Sequence, residues 1–448
     1  MSKNHILILG GGFGGLYTAL ELEKALKNDS DTEITLINRD NYFLFTPMLH
    51  EVAASDLDLT NIVSPVRKLL RKARFFAGDV KRIDLANRAV TVAHGFDGHT
   101  HELAYDRLVI GVGSSTNFFN LPGLEHHALT MKTLEDAAHL RNRLIALLEE
   151  ADTECCAGIR RPLLTFVVAG GGFAGVETIA GINDFVRQSL KFYPNLTPSE
   201  VRMVLVHPGS VILPELDSKL GAYAQRKLQE RGVEVRVNDK ITGYDGELAA
   251  LSDGEAIPSR TLIWTAGTTP SSLLNDLPCM KERGRLLVED TLELSEFPGV
   301  FALGDCALIP DRKTGKFYPP TAQHALREGR IVAHNLVASL RGGKMKPFSF
   351  MTIGQLAAIG RRTGVANIFG FNFSGFMAWW MWRTVYWSKL PRFEKKLRVA
   401  LDWTLDVLFS KDLVQTVSFH NANATANAMG PTANPQCALQ ENTKEIAA

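Results

Sequence analysis

The feature that most constrains this chain is a glycine fingerprint that occurs twice. "NHILILGGGFGGLYTALELEKAL" reads as a buried strand (residues 6–9), a glycine turn and then a helix with apolar residues at Leu16, Ala19, Leu20, Leu22 and Leu26. Gly10, Gly12 and Gly15 form G-x-G-x-x-G in the context that gives the motif meaning: a tight turn, backbone approach to a pyrophosphate, and close packing of helix on strand. The free N–H groups at the helix start favour phosphate. "LLTFVVAGGGFAGVETIAGI" repeats the pattern at Gly170, Gly172 and Gly175, 160 residues later. Two such units imply two dinucleotides, or one flavin and one nicotinamide. They also imply an α/β fold with two Rossmann-like domains.

The strand after each loop normally ends in an acid for the adenosine ribose. In "EITLINRD" that place falls on Asn38 or Asp40, and in "RMVLVHPG" on His207. No Arg stands beside His207 to receive a 2′-phosphate, so NADH is expected over NADPH.

Composition limits the alternatives. At 448 residues, with 45% hydrophobic and 22% charged residues, the chain has globular composition and room for about three domains. A net charge of +1 argues against a general nucleic-acid binder. Cys155, Cys156, Cys279, Cys306 and Cys437 have no metal-ligand spacing, and no metal centre is expected. The start runs from Met1 into an apolar strand without a signal-type segment, which fits a reducing cytoplasmic compartment.

Two later stretches bear on which dinucleotide is which. "FPGVFALGDCALI" delivers Asp305 at the end of a strand (300–303), either to a Rossmann ligand or as a turn or helix-cap residue. "KFYPPTAQHALREGRIVAHNLVASL" sets two prolines before a helix beginning near Thr321, whose N-terminal dipole suits negative charge on a reduced flavin.

The order of these motifs resembles the two-dinucleotide-binding flavoproteins and, more closely, the type II NADH:quinone oxidoreductases (alternative NADH dehydrogenases). The closer resemblance rests on "NYFLFTPMLHEVA", "RLVIGVGSSTNFFNLPG", "GGGFAGVE", "ALGDCA", "PTAQHALREG" and the tail from "AWWMWRTVYW" to "KLRVALDW", and covers residues 4 to 417. It implies FAD and NADH as cofactors, with contacts at Gly10, Gly12, Phe13, Gly14, Gly15, Asn38, Arg39, Pro47, Val80, Gly113, Gly170, Gly172, Phe173, Gly175, His207, Gly267, Asp305, Ala322 and Gln323. It also implies hydride transfer from nicotinamide to flavin, followed by two electrons to a quinone.

Glu177 matches the acid that sits near the flavin in that family. It is expected to gate the site or relay protons, unless it merely stabilises the helix start. The family's A-Q-x-A-x-Q becomes Ala322-Gln323-His324-Ala325-Leu326-Arg327 here. Gln323 is the expected quinone contact, while Arg327 either holds a quinone carbonyl or turns away to a carboxylate such as Glu328. Residues 41–55 contain no cysteine, so electrons do not leave through a dithiol there, and Cys306 reads as a core residue rather than a nucleophile.

"GFMAWWMWRTVYWSKLPRFEKKLRVALDW" (375–403) holds five of six tryptophans. Residues 376–387 as a helix would be only about 18 Å long against a hydrocarbon core of about 30 Å, so the segment does not span. After Pro391 a second helix sets Phe393, Leu397, Ala400, Leu401, Thr404 and Leu408 on one face, with Lys395, Arg398, Asp402 and Asp406 opposite. Six basic residues and one acid lie between Arg383 and Arg398. Trp379, Trp380, Trp382 and Trp387 with this basic rim suit an anionic membrane surface, and a homodimer interface is the other reading.

The expected organisation is a flavin domain (1–125 and 285–345), an inserted NADH domain (126–284), a C-terminal membrane-surface helical region (346–417) and a disordered tail (418–448). The expected location is the cytoplasmic face of the inner membrane. A reductase of a small electron-transfer protein, a sulfide:quinone oxidoreductase-like enzyme, and a redox sensor that binds both cofactors without turnover remain as alternatives.

Overall fold

The computed structural model describes residues 4–415, so the 418–448 tail lies outside the described residues. Asn4–Leu9, whose last four residues are an unbroken buried apolar run, forms the centre of a five-stranded parallel sheet. Its neighbours are Thr32–Asn38 on one side and Arg107–Ile110 on the other. Arg74–Ala77 and Val300–Ala302 occupy the edges. Ile6, Ile8 and Leu9 are completely buried, as expected of a strand covered on both faces.

A second parallel sheet repeats the plan, ordered Leu129–Thr130, Thr261–Trp264, Thr165–Ala169, Arg202–His207, Val233–Val237. Each central strand turns directly into a helix, Phe13–Ala25 in the first unit and Phe173–Ser189 in the second. The α/β class with two Rossmann-like units is therefore present.

The first of these helices packs against Ala322–Arg341. A Cβ on Gly329 would stand 2.7 Å from the carbonyl oxygen of Gly14, so the approach requires glycine. The later helix begins one residue after Thr321, near the expected start.

Beyond residue 350 a three-stranded antiparallel sheet, Gly354–Ala358, Gly364–Ile368 and Phe371–Gly375, precedes the two C-terminal helices. This sheet was not foreseen in a region read as helical. The helices are Phe376–Lys389 and Phe393–Leu408, and no described helix is long and apolar enough to cross a membrane.

The second of these helices is inverted relative to a core helix. Leu397 is 63% exposed, and Phe393, Leu401 and Leu408 also face outward. Its polar side packs inward instead: Lys395 Nζ donates to the Thr60 carbonyl (2.6 Å), and Asp402 accepts from Asn61 Nδ2 (2.6 Å).

The tryptophans divide differently from the expectation. Trp380 is exposed and Trp379 and Trp387 are half-buried, but Trp382 is completely buried and cannot meet a surface. The basic rim also loses two members. Lys395 is buried, and Arg383 lies with its guanidinium carbon 4.4 Å from the ring centres of both Trp379 and Trp403.

Candidate functional site

Both glycine loops are built to the same pattern. Gly10 and Gly170 have φ of +99° and +114°, a region closed to most side chains. A Cβ on Gly15 or Gly175 would stand 1.9 or 1.8 Å from the carbonyl oxygen of Gly10 or Gly170. Neither helix start carries a side-chain cap, so its first N–H groups are free for phosphate oxygens. A Cβ on Gly12 would meet nothing within 4 Å, which leaves the cradle open. This geometry fits a dinucleotide pyrophosphate at each loop.

The residues at the ribose positions hold the loops themselves. Asn38 Oδ1 accepts from the N–H of Gly11 (2.8 Å), and His207 Nδ1 accepts from the N–H of Gly171 (3.1 Å). Asn38 Nδ2 donates to the Asp40 carbonyl (2.8 Å), while Arg39 is exposed with its Nε 3.6 Å from Asp40. Sequence reading missed the acid of the second loop. Glu215 Oε1 stands 3.5 Å from where a Cβ on Gly172 would lie, delivered by the turn after the strand that ends in His207.

Around the first loop, Phe13 packs edge-on against Phe43 with ring centres 5.0 Å apart. Pro47 lies in the short helical turn Thr46–Met48, Val80 is buried, and Gly113 has φ of +69°. Asp305 does not cap a helix. Its Oδ2 accepts from Ser114 Oγ (2.6 Å), which in turn accepts from Lys132 Nζ (2.6 Å). Lys132 was also missed, because it lies over 170 residues from Asp305 in sequence. Burial lowers its pKa, and the Asp305 charge opposes that. Glu328 is buried and accepts from the N–H of Gly304 (2.8 Å), holding the Asp305 turn, and burial pushes its carboxyl up to about 7. Cys306 is a core residue: its thiol contacts the carbonyls of Ile110 and Leu303 (3.3 and 3.2 Å), and burial pushes its pKa up to about 12.

Phe173 opens the second helix, and the Gly267 carbonyl accepts from the N–H of Asn117 (3.1 Å). Glu177 lies beyond the first turn of that helix, so a dipole role falls away. Its Oε1 accepts from the N–H of Ala358 (3.0 Å) and from Trp382 Nε1 (2.8 Å), and its Oε2 stands 3.7 Å from His50 Nδ1. Burial, only partly offset by those two donors, pushes the carboxyl up to about 8. Burial also depresses His50 to about 4, so near neutrality this contact joins two uncharged groups rather than an ion pair.

Ala322 is the first residue of its helix, and Gln323 Nε2 donates to the Gly354 carbonyl (3.2 Å). Arg327 turns away from Glu328. It donates to the Gln323 carbonyl (2.7 Å) and stacks on Phe350, its guanidinium carbon 4.0 Å from the ring centre. Beside Gln323, a cavity of about 290 Å³ is lined by Thr321, His324, Gly354 and Phe369 among others. His324 Nε2 is buried without a hydrogen-bond partner.

The description pyridine nucleotide-disulphide oxidoreductase matches residues 4–329, and the NDH2 C-terminal domain matches residues 353–412. A type II NADH:quinone oxidoreductase of Mycobacterium tuberculosis is 31% identical over 94% of this chain and 92% of its own length. A demethylphylloquinone reductase of Synechocystis is 32% identical over 90% of this chain and 96% of its own. The chain belongs to the type II NADH:quinone oxidoreductase family. The NDH2 of Plasmodium falciparum shares the fold, with a TM-score of 0.85 and 20% identity over 92% of this chain and all of that one. In this family setting the missing cysteine pair at residues 41–55 is a departure from the disulphide chemistry in the broader family's description.

Proposed function

We propose that this chain is a membrane-surface flavoenzyme that oxidises NADH through FAD and reduces a quinone, without pumping protons. FAD is assigned to the first loop with Asp305 and Lys132, and NADH to the second loop with Glu215. The flavin domain comprises 1–125 and 285–345, the NADH domain 126–284, and the membrane-facing region 346–417. The observation that carries the reading is the presence of two complete glycine cradles in one chain that runs on into an NDH2 C-terminal domain.

When bound, FAD would accept a hydride from NADH and return two electrons to the acceptor. The chain's own residues supply placement and protons. Glu177 holds a proton on its carboxyl below a pH of about 8, at the seam between the second glycine helix and the C-terminal sheet. It is therefore suited to give that proton up or gate the seam. Gln323, whose side chain borders the adjoining cavity, offers a polar contact to a carbonyl-bearing acceptor there. Arg327, committed to Phe350, takes a positioning part.

The outward apolar face of residues 393–408, together with Trp380, supports docking on a membrane surface, and the surface proposed is the cytoplasmic face of the inner membrane, where quinone is dissolved. The same face leaves room for a homodimer. A protein electron acceptor has no comparable support, since it gives no reason for that face.

The test is steady-state turnover of NADH with a short-chain quinone, read beside the flavin absorbance spectrum. Yellow protein that reduces quinone under excess NADH is expected. Colourless protein after FAD reconstitution, or yellow protein that passes electrons only to a small redox protein, would sink the proposal. For the membrane, Leu397→Ser with Leu401→Ser should lower liposome binding without loss of flavin.

A further inference from the structure

In "HGFDGHTH", residues 94–101, strand Ala89–His94 turns into strand His99–Ala104. Pairing sets His94 opposite His99, and the two-residue period of the strand returns His101 to the same face. Three imidazoles thereby share one side of a hairpin. His94 and His101 stack with ring centres 4.6 Å apart, and His99 meets His101 nearly edge-on at 4.8 Å. The ligand nitrogens of all three lie within 4.8 Å of one another.

One contact already draws two of these nitrogens together. His94 Nε2 and His101 Nε2 stand 2.5 Å apart. One neutral ring donating its Nε2–H to the other ring's lone pair accounts for this contact, and two ligands of one ion would stand farther apart. The third nitrogen goes beyond what that pair needs, because strand pairing brings His99 within reach of the same point, as a three-histidine metal site requires.

We propose that His94, His99 and His101 bind one divalent transition-metal ion of the zinc or copper class. Neutral imidazole nitrogen suits these ions and disfavours magnesium and calcium. With metal–nitrogen bonds of about 2.0–2.1 Å, tetrahedral ligand atoms stand ~3.4 Å apart. Closing the site therefore needs shifts of ~1 Å in side chains that lie at an open hairpin end. His99 is exposed, which leaves a fourth position to water.

The floor of the site is Phe76, whose ring meets those of His94 and His101 edge-on at 5.6 and 5.8 Å. Phe76 belongs to the edge strand of the first Rossmann sheet, paired with Ile37 one residue before Asn38. A bound ion would thus clip the hairpin end together over the sheet edge that leads to the first glycine loop. It stands apart from the electron path and requires no redox step. The cysteine spacing behind the metal-free expectation does not speak to histidines gathered by strand pairing.

The experiment uses the untagged, flavin-loaded full chain, titrated with Zn²⁺ against a chromophoric zinc indicator and, separately, with Cu²⁺ read by electron paramagnetic resonance. The expected result is one ion per chain with affinity on the order of 1 µM or tighter, nitrogen hyperfine structure on the copper signal, and a zinc-dependent rise in Tm. His99→Gln and His101→Gln should each weaken binding by about tenfold or more at unchanged flavin content, while His126→Gln should not. Absence of stoichiometric binding, or affinity retained in both cluster variants, would overturn the proposal and leave the pair as an N–H···N hydrogen bond.

Discussion

In the first glycine loop the carboxamide of Asn38 holds the N–H of Gly11, and in the second the ring of His207 holds the N–H of Gly171. The covalent motif solves the same steric problem both times, with Gly15 and Gly175 pressed against the carbonyls of Gly10 and Gly170. What differs comes from elsewhere in the chain. Space is open where a Cβ on Gly12 would lie, whereas Glu215 stands beside the corresponding position at Gly172. The first sheet's edge strand leads to the Asp305–Ser114–Lys132 chain, and the second loop's helix carries Glu177 to the C-terminal sheet. A shared cradle thus suits the same class of ligand twice, and under the proposed assignment the surrounding side chains set which dinucleotide binds and what is done with it.

The largest expected effect breaks the equivalence outright. Gly175→Ala drives a methyl group into the Gly170 carbonyl, so flavin should remain bound while its reduction by NADH in anaerobic mixing slows by roughly a hundredfold or more. Gly15→Ala should instead yield colourless protein. If both variants lose the same cofactor, the assignment of loops to ligands is wrong.

Next in size is Glu177→Gln, which keeps the shape and the hydrogen bond from Trp382 but removes the titrating proton. Turnover with quinone at neutral pH should fall by about tenfold with flavin content intact. The sign of the stability effect follows from the shift. Folding raises the carboxyl from 4.5 to about 8, so the folded chain retains a proton that the unfolded chain has lost between those values. The penalty on stability grows as pH rises through that window and is complete above it. Unfolding midpoints of the Gln variant should accordingly improve relative to the parent as pH rises, and parallel pH profiles would contradict a buried neutral acid.

A smaller change sharpens the comparison at the acid. Glu215→Gln removes a carboxylate that would repel a 2′-phosphate, and the NADPH:NADH ratio of kcat/KM should rise by about tenfold. An unchanged ratio would assign discrimination to another group.

Smallest of all is His207→Asn, which makes the second loop's support resemble the first. Asn can accept from the same N–H, so kcat/KM for NADH should stay within about threefold of the parent. A loss as large as that of Gly175→Ala would give His207 a direct ligand role.

The fold class was legible because glycine spacing and buried apolar strands are local signals that survive any context. The second acid was not, since Glu215 reaches the loop from a neighbouring turn and not from the strand end where the pattern places it. Lys132 likewise meets Asp305 only through Ser114, a meeting between three distant stretches. Arg327 shows the converse, a conspicuous motif position whose side chain is drawn off to Phe350.

For the C-terminal segment, the sequence by itself determined that two short helices form, that they cannot span a bilayer, and that one carries an apolar stripe. Only the tertiary structure decided which stripe meets water. Lys395, Asp402 and Trp403 find partners on the body of the protein, at the Thr60 carbonyl, Asn61 and Glu51, so the polar side turns inward and the leucines turn out. The same packing removes Trp382 from the surface and gives it to Glu177. Helical periodicity fixes which residues share a face, but the direction of that face depends on hydrogen-bond partners over 200 residues away in sequence.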